Sequence, residues 1–488
     1  MGPKSPVTRT STCTVERSRI SRRTFLWGLP SCAVALPRCR EQAGAAAPSN
    51  RPNVIIVLTD DQGYADVGCY GAEGFDTPHL DRMADEGIQF RSFYCAAPVC
   101  SPSRAALLTG CYPARVGITD VLFPRGPAFA EGRSGIGLNP QEVTIAALLQ
   151  SLGYATAAIG KWHLGDDEPF LPTRFGFDEY FGLPYSNDMR PEEDPEYPPL
   201  PLMQNEEVIE YDPDQSQLTT RYTEQACDFI ERNRERPFFL YLAHSMPHVP
   251  LAVSARFAGH SERGLYGDVI MEIDWSVGQV LETLDELGIA DDTLVVFASD
   301  NGPWLLYGSH AGSAGPYREG KMTTFDGGQR VPCIMRWPNR IASERTSNEV
   351  ATTMDLLPTI AAITGAELPP WTIDGKNILP ILEGQPSARS PYEAVYFYDG
   401  VELQAVRSDR WKLHLPHAYP AVTEPGIDGA PGQQEQRDLE LSLFDLEADP
   451  GETTNLAARH PELVSQLTSA ATAFDADLRA NQRPVGRL

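Results

Sequence analysis

Positive charge is scarce in this chain: 40 Lys and Arg stand against 66 Asp and Glu, for a net charge of −26 at pH 7. Nucleic acid is recognised through a basic footprint, so it is excluded as a partner. An anionic small ligand remains compatible, provided a local cluster of Lys, Arg and His reverses the field inside a pocket. No internal repeat is present. No Cys/His suite at metal spacing occurs, which argues against a zinc centre. Beyond residue 50 no apolar stretch reaches membrane-spanning length, so no stable membrane anchor is expected. The nine cysteines include three (Cys13, Cys32, Cys39) in the first fifty residues. The others (Cys69, Cys95, Cys100, Cys111, Cys227, Cys333) show no framework from which a disulfide such as Cys95 with Cys111 can be read.

The 488 residues, with 42% hydrophobic and 22% charged side chains, suffice for a large core and exceed one typical domain. Residues 1–50 read as a leader outside the fold. Ser21-Arg22-Arg23-Thr24-Phe25-Leu26 is similar to a twin-arginine export signal, and the apolar run 25–36 is too short for an anchor. Small residues over 43–47 offer a cleavage region. The expectation is an exported protein, periplasmic or secreted; the alternative is a disordered leader with a chance Arg pair.

From residue 51 the chain alternates buried-looking strands with amphipathic helices. Residues 53–59, 154–159, 237–243 and 293–298 are apolar and β-branched or aromatic, as strands of a parallel sheet are. Each runs directly into polar residues: Asp60-Asp61, then Lys161 and His163 between glycines, then His244 and His248 among prolines, then Asp300-Asn301. Open α/β sheets place their sites at such strand ends. Residues 88–94 read as a further strand, 191–203 as an irregular excursion, and 308–328 as a glycine-rich loop in which Lys321 stands out. The helix expected over 262–287 carries Asp268, Glu272 and Asp274, which fit a solvated face. Pro358 is expected to kink a helix over 354–364.

Beyond Pro369-Pro370 four short strands at close spacing predict a small antiparallel sheet, residues 419–440 read as a long loop, and 460–479 as a closing helix. The fold expected is α/β, a large mixed, mostly parallel sheet flanked by helices with a smaller C-terminal antiparallel sheet plus helix. The divisions are 1–50 leader, 51–370 catalytic domain and 371–488 a smaller C-terminal subdomain packed by the active site.

The organising stretch is Cys100-Ser101-Pro102-Ser103-Arg104, followed by apolar residues and closed by Gly110. It reads as the mouth of a helix, with Pro102 in the first turn and Gly110 as the stop. Residue 100 then sits where the helix end favours negative charge, so a thiol there is either a low-pKa nucleophile or an ordinary helix-entry cysteine.

The run Cys-x-Pro-Ser-Arg ahead of a short apolar helix and Thr-Gly resembles the signature of the formylglycine-dependent, type I arylsulfatase-like sulfatases. With the strand-end residues, the resemblance covers roughly residues 51–460. It implies an alkaline phosphatase-like fold and hydrolysis of sulfate esters by 3-oxoalanine (formylglycine) made from Cys100 by a formylglycine-generating enzyme before export. Conversion would leave five cysteines, an odd number. It also implies a divalent cation on Asp60, Asp61, Asp300, Asn301 and residue 100. These oxygen donors favour calcium, with magnesium possible, over zinc. By the same resemblance Arg104 holds the aldehyde hydrate, Lys161 and Lys321 grip sulfate oxygens, His248 assists departure of the alcohol, and His163 takes a proton when sulfate is expelled. The substrate implied is a sulfated glycan or an aryl sulfate. Two rivals stand beside this reading: a phosphodiester or phosphonate monoester hydrolase of the same superfamily, and a non-catalytic sulfated-glycan binding protein. Asn301, where two-metal relatives resemble Asp-His, counts against the first. The intact set of polar residues counts against the second.

Overall fold

A computed structural model describes residues 51–127 and 132–488; the expected leader lies outside the described residues. One sheet contains ten strands. They are β1 (Asn53–Thr59), β2 (Ile88–Phe90), β3 (Ala155–Gly160), β4 (Glu179–Gly182), β5 (Pro201–Gln204), β6 (Glu207–Tyr211), β7 (Phe238–Ala243), β8 (Thr293–Ser299), β9 (Cys333–Arg336) and β10 (Arg345–Ser347). Their order across the sheet is β10-β2-β9-β8-β1-β7-β3-β4-β5-β6. The run β8-β1-β7-β3-β4 is parallel throughout. β9 pairs antiparallel with β8 and β2, and β5 with β4 and β6.

Successive side chains of a strand point to opposite faces, and here both faces are covered. The covering helices are α1 (Pro78–Asp85), α2 (Cys100–Thr109), α3 (Ile145–Ser151), α4 (Leu218–Asn233), α5 (Gly264–Glu286) and α6 (Leu356–Thr364). Val54, Ile56 and Leu58 of β1 pack with Leu107, Leu149 and Ile360 from α2, α3 and α6. Ile55 and Val57 pack with Leu80, Phe229 and Ile273 from α1, α4 and α5. Each such fully buried side chain stabilises the fold by about 1.5–3 kcal/mol. Continuous apolar strands are the consequence, and they form a rigid platform whose parallel strands all end on one edge.

In the C-terminal part, β11 (Val395–Asp399), β12 (Glu402–Ser408) and β13 (Trp411–His414) precede a hairpin of β14 (His417–Glu424) and β15 (Gln433–Leu439), and β16 (Ser442–Asp445) follows. The small sheet runs β11-β12-β13-β16, antiparallel throughout. Helix α7 (Pro461–Ala480) packs Leu467, Ala471 and Leu478 onto its Val406, Leu413 and Leu443, in a core shared with Ala106 and Tyr112.

Several expectations are corrected. The strand at 88–94 is broken into Ile88–Phe90 and Phe93–Tyr94. The excursion at 191–203 runs into an edge hairpin, β5 with β6, and the loop at 419–440 is the hairpin β14–β15, whose second strand is almost wholly exposed and therefore lacks an apolar pattern. Pro358 is the third residue of α6, where its missing N–H breaks no helical bond. The acids of α5 are buried and not solvated. Asp268 accepts from the amides of Gly259, His260 and Ser261, Glu272 from Ser254, and Asp274 from His79 and Leu80 at the start of α1. All six described cysteines are free, Cys95 and Cys111 included.

Candidate active site

Four strands deliver the site. β1 runs into Asp60 and Asp61, the latter turned by a left-handed backbone (φ 64°) that is uncommon outside glycine. Its amide donates to Asp300 Oδ1 at 3.1 Å, so the ends of β1 and β8 are tied to each other. β3 ends at Gly160 (φ 105°), where a Cβ would lie 1.8 Å from the Ala243 carbonyl oxygen, so only glycine lets β3 turn so close to β7. That turn presents Lys161 and His163. β7 leads to His244 and His248. His244 stays in the core, its Nε2 3.2 Å from Ser276 Oγ, and burial lowers it to about 4. His248 reaches the site.

Cys100 is the first residue of α2, and Gly110 (φ 68°) ends the helix with its amide on the Ala106 carbonyl, as the sequence indicates. The Cys100 sulfur lies 3.4 Å from Asp60 Oδ1 and 3.6 Å from Lys321 Nζ. A low-pKa thiol is not what results: burial, and after it the Asp60 carboxylate, push the thiol well above its ordinary range. Desolvation outweighs the helix end.

Around it the charges interlock. Arg104 donates to Asp300 Oδ2 through Nε at 3.0 Å, holds the same oxygen at 2.8 Å through a terminal nitrogen, and gives its remaining arm to the Lys161 carbonyl at 2.9 Å. The Lys161 ammonium is paired with Asp60 and donates to Ser186 Oγ at 3.1 Å. Lys321 meets a carboxylate oxygen of Asp61 at 2.8 Å, and His248 Nε2 lies 3.6 Å from the same carboxylate. Burial alone would raise Asp60, yet Lys161 and Arg104 overcome it and hold the group far below the usual carboxylate range. Asp300 behaves oppositely, pushed up to about 7 by burial and then by Asp60.

Ligating atoms of Asp60, Asp61, Cys100 and His248 all lie within 4.8 Å of one another. Asn301 adds an amide: its Nδ2 donates to Asp61 Oδ1 at 2.7 Å, while its buried Oδ1 has no hydrogen-bond partner. A carbonyl oxygen left without a donor beside three carboxylates fits a hard divalent cation. His248 borders this cluster, although the sequence suggested only a role in proton transfer.

The cluster forms the floor of a cavity of about 790 Å³, reached by Cys100, His163, His248 and Lys321. His163 Nε2–H donates to the Leu122 carbonyl at 2.9 Å, leaving Nδ1 buried and without a partner. Burial, then Lys161 and Arg104, hold its pKa well below the ordinary value, so it is a neutral imidazole with one bare nitrogen. His248 Nδ1–H donates to the Val249 carbonyl at 2.6 Å, so Nε2 faces the site. Thus the structure brings together all of Asp60, Asp61, Cys100, Arg104, Lys161, His163, His248, Asp300, Asn301 and Lys321. Sequence reasoning reaches Ser186 only within the flank 185–190, for which a pocket mouth and a plain loop are the two readings, and misses Trp304, whose ring lies 4.4 Å from the Lys321 ammonium and 5.6 Å from the His248 ring. Neither carried a motif. The C-terminal subdomain is expected beside the active site, but the hairpin is not: β14 and β15 contribute Pro420, Gln434 and Gln436 to the upper wall.

The family model for Sulfatase matches residues 52–366, and that for the C-terminal region of aryl-sulfatase matches 390–488. The chain is 38% identical over 470 residues to arylsulfatase A of Bos taurus, covering 89% of this chain and 90% of that protein. It is 38% identical to N-acetylgalactosamine-6-sulfatase of Canis lupus familiaris over 455 residues, covering 87% and 85%. Its structure superposes on that of the PsFucS1 sulfatase from Pseudoalteromonas sp. with a TM-score of 0.80 at 28% identity, covering 89% of this chain and 92% of the other. The chain thus belongs to the sulfatase family, on the alkaline phosphatase-like fold, and is a sulfuric ester hydrolase.

Proposed function

We propose that the enzyme hydrolyses sulfate esters of carbohydrates by means of formylglycine made from Cys100 and one divalent cation, calcium before magnesium. The observation that carries this reading is the position of Cys100. It is buried at the cavity floor between Asp60 and Lys321, with a thiol too weakly acidic to attack unaided. Converted to an aldehyde hydrate, residue 100 supplies a hydroxyl nucleophile and a second hydroxyl for release of sulfate. Asp60, Asp61, Asp300, Asn301 and residue 100 would hold the cation, which would supply Lewis-acid stabilisation of charge developing on oxygen.

The other side chains follow from their chemistry. Attack on a sulfate ester spreads negative charge over attacking, leaving and equatorial oxygens, so preset cations stabilise the transition state more than the ground state. Lys161 and Lys321 are the cations for sulfate oxygens, kept protonated by Asp60 and Asp61 against burial that would lower them. Arg104, fixed by Asp300 and the Lys161 carbonyl, orients residue 100 from the next turn of α2. His248 presents Nε2 to the leaving alcohol as proton donor. His163 Nδ1 is the acceptor, since its partner nitrogen is committed to Leu122. The twin-arginine-like segment supports export after a formylglycine-generating enzyme has acted. The catalytic domain over 51–370 and the subdomain over 371–488 share the pocket.

Matched aryl sulfate and aryl phosphate, assayed before and after exhaustive chelation, test this reading. Sulfate release that falls on chelation and returns with calcium is the expected result. Preferential phosphate release would move the chain to the phosphohydrolase reading, and calcium-dependent retention on a sulfated glycan without release would move it to the binding-protein reading.

A further inference from the structure

The floor of the cavity is cationic, but its rim is not. Among the described lining residues the mouth carries three carboxylates, Asp120, Asp188 and Asp399, against one guanidinium, Arg133. Arg133 is already engaged, 3.2 Å from Asp120 and 4.6 Å over the Phe123 ring. Asp399 sits in a negative field: burial, then Asp120 and Glu402, push it up to about 6. Asp188 lines the wall partly exposed, and its inward Oδ1 has no hydrogen-bond partner. A carboxylate short of donors in a cavity wall is a ready acceptor for a ligand O–H or N–H. Beside these acids, the exposed side chains of Val401 and Met322 and the amides of Gln434 and Gln436 line the same mouth.

We infer that this rim selects sulfate esters of otherwise uncharged, hydroxyl-rich sugars, with Asp188 accepting from a sugar hydroxyl, and turns away substrates with a second anion near the scissile sulfate. The inference rests on the sulfatase reading and narrows its substrate class. The logic is a division of labour by depth. One sulfate would be neutralised at the floor by Lys161, Lys321 and the cation, whereas any further sulfate or carboxylate would lie among Asp120, Asp188 and Asp399, within the few ångströms over which like charges repel even beside water. Hydroxyls meet the same carboxylates as donors, and apolar Val401 and Met322 suit the C–H faces of a pyranose ring. Specificity then arises partly from a repulsive element and partly from an acceptor that a deoxy or anionic ligand would leave unpaired.

The test uses the mature enzyme with three substrates: an aryl sulfate as reference, a neutral hexose 6-sulfate, and the same hexose carrying a second sulfate on a neighbouring hydroxyl. The kcat/KM ratio of monosulfate to disulfate is expected to favour the monosulfate by on the order of tenfold. In the double variant Asp120→Asn, Asp399→Asn that ratio should fall at least about threefold. In Asp188→Asn the monosulfate should lose ground relative to the aryl sulfate, mainly through KM. Equal turnover of the two hexose sulfates, or preference for the disulfate, while the aryl sulfate is hydrolysed, overturns the inference alone. No release from any of the three, the aryl sulfate included, overturns the sulfatase reading and this inference with it.

Discussion

Lys321, whose ammonium reaches Asp61 at 2.8 Å, and Asp326, whose carboxylate meets Lys412 at 2.8 Å, lie on one short glycine-rich segment yet belong to charge clusters of different kinds. The second cluster joins that segment to the C-terminal sheet. Lys412 also reaches Glu452 at 3.2 Å, His414 Nε2 meets Glu452 Oε1 at 2.8 Å, and the second Glu452 oxygen accepts the Asp326 amide at 2.7 Å. Arg330 and the Tyr94 hydroxyl complete the shell of Asp326 at 3.1 and 2.8 Å. Both oxygens of Asp326 and of Glu452 are matched, and the carboxyl of Asp326 is held far below its usual range by Lys412 and Arg330 despite its burial. The first cluster has equal numbers of formal charges but leaves gaps beneath the cavity: Asn301 Oδ1 and His163 Nδ1 lack partners, and Asp300 is pushed up to about 7, whereas in the second only His414 Nδ1 among the described side-chain atoms lacks one, and His414 does not line the cavity. A closed cluster fixes structure. A gapped cluster under a cavity leaves places for ligands and reacting atoms.

The largest expected effect separates the two directly. Cys100→Ala should lower sulfate release by at least about a thousandfold, since the proposed nucleophile is removed, while the melting temperature stays within a few degrees of the parent. A variant that kept a tenth of the activity would break the comparison. Next, chelation should cost at least about a hundredfold in activity and lower the melting temperature, because Asp60, Asp61 and Asp300 then face one another without the cation, with calcium restoring both. In the closed cluster Lys412→Met leaves two buried carboxylates without their ammonium and should cost about 3–5 kcal/mol, read from denaturant unfolding. Its activity per folded molecule should fall far less than that of Cys100→Ala.

The smallest effect is in pH. His414 is fully buried and lowered to about 4 by that burial, against an unfolded value near 6.5. Between these values the unfolded chain binds more protons, so the stability contributed by neutral His414 is present above about 6.5 and lost as pH falls toward 4. Raised carboxylates such as Asp274 and Asp355, each pushed up to about 7 by burial, act in the opposite sense, so the difference between His414→Gln and the parent is the quantity to follow. That difference should change by about 1–3 kcal/mol between pH 7 and 4.5; parallel stability curves would show that His414 does not titrate on unfolding.

What could be read from the sequence follows the same division. Strands buried on both faces must be continuously apolar, so β1, β3, β7 and β8 announce themselves, and polar residues after each mark one edge of the sheet. The site residues were legible because they follow those strands or lie in the Cys100 run, except Lys321, which stood out as a cation within a glycine-rich loop. The closed cluster was not: Asp326, Lys412, His414 and Glu452 come from segments far apart in the chain and meet only through the packing of the small sheet. Asp268, Glu272 and Asp274 looked solvated because the amides they satisfy lie in irregular loops or, for Asp274, at the start of the distant helix α1. The hairpin β14–β15 looked like a loop because its second strand faces solvent and needs no apolar alternation.

The most direct measurement is the fraction of residue 100 present as aldehyde, from peptide mass, set against sulfate release in preparations made with and without a formylglycine-generating enzyme. Activity is predicted to rise in proportion to the converted fraction and to vanish when that fraction is zero. Full sulfate release from a preparation in which residue 100 is entirely thiol would contradict the account.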